Sequence, residues 1–187
     1  MNDGLECGNV WSLAINSNGE IFAGTAGCGD GVYGSTDNGD GWALTNTGLT
    51  STDIAGLGIN NNGHILAATR SIMGKGGGIF RSTDNGDSWT EQNNGFSASD
   101  ANGVTFNSVG DVFAAAAGGV FRSTNDGASW TDVSNGLIPA DGNVLALAMD
   151  SGNHAYAGIT GGGVFRSVRS TAGVVRPRPR PTPAPRP

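Results

Sequence analysis

One eight-residue phrase occurs three times in this chain: Ser-Thr-Asp-Asn-Gly-Asp-Gly-Trp over Ser35–Trp42, Ser-Thr-Asp-Asn-Gly-Asp-Ser-Trp over Ser82–Trp89, and Ser-Thr-Asn-Asp-Gly-Ala-Ser-Trp over Ser123–Trp130. Successive copies begin 47 and 41 residues apart. Repetition at that period means one supersecondary unit used several times, each burying its apolar face against its neighbours.

The residues around the phrase define the unit. A first strand-like run is Val10–Ile15, and its counterparts are Ile54–Ile59, Gly103–Phe106 and Val144–Met149. Each leads into a tight turn rich in Asn and Gly, residues that accept the positive φ of hairpin turns. A second run follows at Ile21–Gly24, Ile65–Ala68, Val112–Ala115 and Ala155–Gly158. Its small residues predict close approach to a neighbouring sheet. A third is Gly31–Tyr33, Gly78–Arg81, Gly119–Arg122 and Gly163–Arg166. The phrase then turns the chain, and its tryptophan opens a fourth strand at Trp42–Leu44, Trp89–Glu91 and Trp130–Val133. Four short antiparallel strands in such a unit make one propeller blade. The fourth unit reaches Ser167 and loses both the phrase and the tryptophan. The expected fold is all-β, a β-propeller of four-stranded antiparallel blades with about four blades present and the last incomplete. Residues 1–9 precede the blades, which occupy 10–170.

The phrase resembles the Asp-box, or BNR repeat, Ser-x-Asp-x-Gly-x-x-Trp. Copies one and two match it throughout, and the third has Asn125 in place of Asp. The resemblance spans roughly residues 10–167 and implies a β-propeller. Members of the family include sialidases, xyloglucan-cleaving glycosidases, sortilin-type receptors and a photosystem assembly factor.

Read residue by residue, the phrase is a self-bonded turn. Ser35, Asp37, Ser82, Asp84, Ser123 and Asn125 are types whose side chains bond nearby backbone. Gly39, Gly86 and Gly127 supply positive φ. Trp42, Trp89 and Trp130 pack beneath the turn or between blades. Calcium is the alternative, but each turn offers few carboxylates and calcium takes six to eight oxygens. No metal and no cofactor is expected.

Chain reversal after each strand sorts the loops. The first hairpin turns and the phrase turns share one face, while the strand 2–3 loops and blade-to-blade loops share the other. The second face holds the length variation, and variable loops on a rigid scaffold are where binding concentrates. Its longest insertion, Arg70–Gly77, carries the only lysine, Lys75. Arg70 and Lys75, with Asp53 and Asp100 from neighbouring loops, are the candidate ligand contacts. The plain alternative is a glycine-rich solvent loop.

Catalytic readings are thinner. The resemblance to sialidases implies an arginine cluster, but Arg81, Arg122 and Arg166 recur at one repeat position and spread around a ring. The only tyrosines, Tyr33 and Tyr156, stand at core-strand positions. Sialidase activity is therefore not expected. A glycosidase needs two opposed carboxyl groups, for which Asp53, Asp100 and Asp141 are the candidates. His64 and His154 occupy equivalent positions in different units, without metal-binding neighbours in sequence.

Composition bounds the rest. Four of the ten basic residues, Arg176, Arg178, Arg180 and Arg186, lie in the final stretch, leaving sixteen acidic against six basic residues before them. An acidic body argues against a nucleic-acid surface. No apolar run spans a membrane, and residues 1–9 do not read as a signal peptide. Cys7 and Cys28 form either a disulfide or two free thiols. Residues 171–187 hold six alternating prolines and are expected to be an extended, disordered tail. With about four blades, the chain is either part of a longer propeller, half of a homodimeric ring, or a ring closed by Leu5–Gly8 on the last blade. The expected role is a non-catalytic binding or scaffold module for a glycan or protein, with part of a carbohydrate-active enzyme as the alternative. Family habit implies an extracellular or periplasmic setting.

Overall fold

The structure is a computed structural model and describes residues 2–71, 77–135 and 142–172. Lys75, Asp141 and most of the tail lie outside the described residues. Blade 1 is β1 (Val10–Ile15), β2 (Ile21–Thr25), β3 (Val32–Ser35) and β4 (Ala43–Leu44). Blade 2 is β5 (Asp53–Ile59), β6 (Ile65–Arg70), β7 (Gly78–Ser82) and β8 (Thr90–Glu91). Blade 3 is β9 (Ala101–Phe106), β10 (Val112–Ala116), β11 (Gly119–Ser123) and β12 (Thr131–Asp132). Blade 4 is β13 (Val144–Met149), β14 (Ala155–Ile159) and β15 (Gly163–Arg166). Strands pair antiparallel in sequence order, giving three four-stranded sheets and one of three strands. The chain is thus an all-β assembly of β-propeller blades, the fourth showing three strands among the described residues. No helix is long and apolar enough to cross a membrane.

Each blade repeats one irregularity. The register between its first two strands skips Trp11, Ala55, Asn102 and Leu145 in turn. A bulge re-aims the extra side chain, and these four equivalent positions lie next to the blade-to-blade loops of the variable face.

The core lies between blades. Phe22 and Val32 of blade 1 pack with Ile54, Leu57, Ile65 and Phe80 of blade 2. Leu66 and Ile79 of blade 2 pack with Ala101, Val112 and Phe121 of blade 3, and Phe113 and Val120 of blade 3 with Val144 and Ile159 of blade 4. Full burial of one such large side chain contributes about 1.5–3 kcal/mol. Small residues permit this approach: a Cβ on Gly56 would lie 2.8 Å from the Cα of Gly103.

Among the described residues, nothing covers the outer faces of blades 1 and 4. Leu13 is 63% exposed, whereas its equivalent Leu57 is 8% exposed against blade 1. Val164 is 75% exposed, whereas its equivalent Val120 is 3% exposed against blade 4.

Two details differ from the sequence reading. The fourth strands begin one residue after each tryptophan. The backbone N–H groups of Trp42, Trp89 and Trp130 instead donate to Asp3, Thr47 and Asn94 carbonyls at 2.8, 2.8 and 2.9 Å. And Leu5 and Cys7 lie on blade 1 with Ala23 and Tyr33, not on the last blade. Asn2–Leu5 is bonded like the connectors Asn46–Leu49 and Asn93–Phe96: the N–H of the fourth residue donates to the carbonyl of the first at 3.2, 2.9 and 3.0 Å. Gly4, Gly48 and Gly95 have φ of +79°, +90° and +78°, and a Cβ on any of them would collide with the tryptophan carbonyl of the following blade.

Candidate functional site

The repeated turn folds around its serine. The Ser35, Ser82 and Ser123 hydroxyls accept from the N–H groups of Gly39, Gly86 and Gly127 at 2.9, 2.8 and 2.9 Å. They donate to Asp37, Asp84 and Asn125 side-chain oxygens at 2.8, 2.7 and 2.9 Å. Those oxygens also accept the N–H groups of Gly41, Ser88 and Ser129 at 2.9, 3.0 and 2.9 Å. Asn125 keeps the acceptor geometry through its amide oxygen. The Gly41 N–H, then the Ser35 hydroxyl, hold the Asp37 carboxyl below its ordinary range. The Ser88 hydroxyl, the Ser88 N–H and then the Ser82 hydroxyl do the same for Asp84. These carboxyl oxygens bond within their own turns, and no ligand is needed to account for them.

The same face carries links between blades. Asn16 Nδ2 donates to Asn85 Oδ1 of the next blade at 3.2 Å. Asn60 Nδ2, His64 Nδ1 and Arg81 Nη1 all converge on the Asp126 carboxylate, at 2.5, 2.5 and 3.2 Å. His154 faces Asp150 in its own blade. The two histidines thus pair separately with carboxylates. Arg122 pairs with Asp111 and Arg166 lies over Tyr156, so the three repeat-equivalent arginines form no cluster.

On the opposite face Arg70 pairs with Asp53 within blade 2, and Asp100 of blade 3 is joined to Ser71, the residue after Arg70. Arg70 Nε and Nη2 donate to Asp53 Oδ1 at 3.3 and 3.1 Å. The Ser71 N–H donates to Asp100 Oδ1 of blade 3 at 2.6 Å. Ser51 Oγ ties the Arg70 carbonyl at 2.7 Å. The sequence reading missed the fourth member. The Arg70 guanidinium lies over the Trp11 ring of blade 1, 4.1 Å from its centroid. Such a contact contributes about 0.5–1 kcal/mol at an exposed site. Trp11 is 52% exposed, and its indole N–H donates to Asn9 Oδ1 at 3.2 Å. The signal in the sequence was an aromatic at a position filled elsewhere by Ala55, Asn102 and Leu145. The cluster thus spans blades 1, 2 and 3, with a half-exposed indole beside a partly buried ion pair.

Cys7 and Cys28 form a disulfide, with Cα atoms 6.2 Å apart. Asp30 lies beside them, but the sulfurs are bonded to each other and offer no thiolate to a metal.

No protein-family model matches the sequence, and no curated protein matches it significantly. Solved structures match the fold. The extracellular domain assigned to a hybrid two-component system of B. thetaiotaomicron aligns with a TM-score of 0.68 at 18% identity, covering 87% of this chain and 22% of that one. YCF48 bound to D1 peptide aligns with a TM-score of 0.66 at 16% identity, over 86% of this chain and 51% of that one. An ancestral GH74 enzyme aligns with a TM-score of 0.62 at 25% identity, over 80% of this chain and 22% of that one. The chain therefore spans about a fifth to a half of the length of these neighbours, and shares with them the blade architecture of a β-propeller.

Proposed function

We propose that the chain is a non-catalytic binding module built from Asp-box propeller repeats, with a glycan or protein ligand bound on the variable-loop face. The observation that carries this reading is the half-exposed Trp11 ring held by Arg70, beside Asp53. Tryptophan and arginine dominate binding energetics where a rigid ring meets a partner. The Asp53 and Ser51 bonds preorganise Arg70, which lowers the entropic cost of engaging a ligand. Asp100 extends the polar rim, and Lys75, a candidate contact from the sequence, lies outside the described residues. The disulfide fits an extracellular or periplasmic setting. The blade count fits part of a longer propeller.

A second reading, part of a carbohydrate-active enzyme, draws on the GH74 neighbour. Against it, Asp53 Oδ1 is taken by Arg70 within blade 2 and Asp100 Oδ1 by the Ser71 N–H at the next boundary, so the two carboxylates are held by different partners and are not seen as an opposed pair. A glycan array and a peptide library probed with the 187-residue chain and with Trp11→Ala test the proposal. Loss of binding by about tenfold or more in the variant is expected. Binding that survives both Trp11→Ala and Arg70→Ala would move the site off this face, and hydrolysis of xyloglucan abolished by Asp53→Ala would establish the enzyme reading instead.

A further inference from the structure

Blade 4 follows the other blades through β15; among the described residues no fourth strand follows, and the sequence there has no tryptophan. In blade 2, Trp89 packs with Leu49 and Phe80, and its indole N–H donates to the Thr45 carbonyl of blade 1 at 2.6 Å. In blade 3, Trp130 packs edge-on to Phe96, centroids 5.8 Å apart, and donates to the Gln92 carbonyl of blade 2 at 2.7 Å. Thr45, Gln92 and Val133 are equivalent, because their N–H groups donate to the Val32, Ile79 and Val120 carbonyls at 2.9, 2.8 and 2.9 Å.

At the boundary of blades 3 and 4, where the next ring would lie, there is a cavity of about 200 Å³. Its apolar lining includes Phe113, Val120, Val133, Leu147 and Ala157. The segment after β15 replaces the missing turn without bringing a ring. The Thr171 carbonyl accepts from Asn107 Nδ2 at 3.3 Å, as the Asn85 and Asp126 side chains accept from Asn16 and Asn60. Among the described residues, β15 pairs only with β14. Its Phe165 and Arg166 correspond to Phe80 and Arg81, which pair with Glu91 and Thr90. An unpaired strand edge beside an apolar pocket is a template for adding a strand.

We propose that this cavity is an indole socket and that blade 4 binds, in trans, an extended polypeptide segment carrying a tryptophan in the Ser-Trp-Thr-Asp setting of the chain's own repeats, the turn ahead of it being replaced by residues 167–171. The ring enters between Phe113 and Leu147, its N–H donates to the Val133 carbonyl, and the next two residues pair with Arg166 and Phe165. The site is separate from the variable-loop cluster and stands without it.

Calorimetric titration of the 187-residue chain with a synthetic peptide of residues 129–133 tests this, alongside the same peptide carrying Trp130→Ala. The expected result is saturable one-to-one binding, weakened about tenfold or more by the alanine peptide. Leu147→Trp, which fills the cavity from within, is expected to abolish binding. No binding, equal binding of both peptides, or unchanged binding to a folded Leu147→Trp variant overturns the proposal. If that variant does not fold, the peptide pair alone decides.

Discussion

Trp89 reaches across a blade boundary to donate its indole N–H to the carbonyl of Thr45 at 2.6 Å, whereas the equivalent Trp42 donates to Gly39 of its own turn at 3.1 Å. The sequence reading left two placements open for this tryptophan, beneath the turn or between blades, and the structure contains both. The difference follows from the neighbour: Trp89 meets a folded blade before it, whereas Trp42 meets the segment around Leu5.

This predicts unequal costs for chemically identical changes. Trp89→Ala removes a buried ring and leaves a cavity between blades, and is expected to cost about 3–5 kcal/mol. Trp89→Phe keeps most of the packing but orphans the Thr45 carbonyl, costing about 1–3 kcal/mol. Trp42→Ala is expected to cost less than Trp89→Ala. Urea unfolding of the three variants measures the order, and equal losses at positions 42 and 89 would contradict it.

The repeated turns make stability depend on acid. Asp37 and Asp84 have carboxyls held below the ordinary value by turn donors. A carboxyl with a lower pKa folded than unfolded binds fewer protons in the folded state. Its contribution is full above the unfolded value, near 4, and is lost as pH falls through the folded value. Unfolding midpoints should therefore drop as pH is lowered below about 4. The double variant Asp37→Asn, Asp84→Asn should flatten that dependence while keeping the fold, because Asn125 already fills the same role in blade 3. A pH series of thermal melts in which wild type and variant fall in parallel would rule out this source.

The Cys7–Cys28 disulfide closes a loop of sequence separation 21 and ties the N-terminal segment to blade 1. Constraining the unfolded chain over such a loop contributes roughly 3 kcal/mol. Reduction, or Cys7→Ala with Cys28→Ala, is expected to lower stability by about that amount, with blade 1 most affected since Cys7 packs on Ala23 and Tyr33. Hydrogen exchange should show the loss concentrated in β1–β4. Uniform loosening of all four blades would contradict that localisation.

Much of the fold was legible in sequence because local rules repeat. Strand periodicity, turn residues and the thrice-used phrase each act within a few residues, so the four-stranded unit and the sorting of loops onto two faces followed directly. The candidate cluster was legible only in part. Arg70, Asp53 and Asp100 stood out as charged residues in variable loops, but Trp11 lies within the Val10–Ile15 run, where strand periodicity does not single it out. A bulge at that position turns it toward Arg70, and no local pattern announces the bulge. Similarly, Asn38, Asn85 and Asp126 adopt φ near +60° ahead of the turn glycines, a conformation set by the bonds to the central serine.

The sequence alone determined the repeating unit, its four strands, the self-bonded turn and the failure of the fourth copy after Ser167. Those features depend on contacts between residues close along the chain. Only the tertiary structure decided how units meet: which tryptophan donates across a boundary, that Leu5 and Cys7 lie on blade 1, that Asp126 gathers Asn60, His64 and Arg81, and that a cavity remains beside Val133. Each of these joins residues of different blades or of the segments flanking them, and their partners are chosen by the packing of whole sheets, which spacing along the chain does not encode.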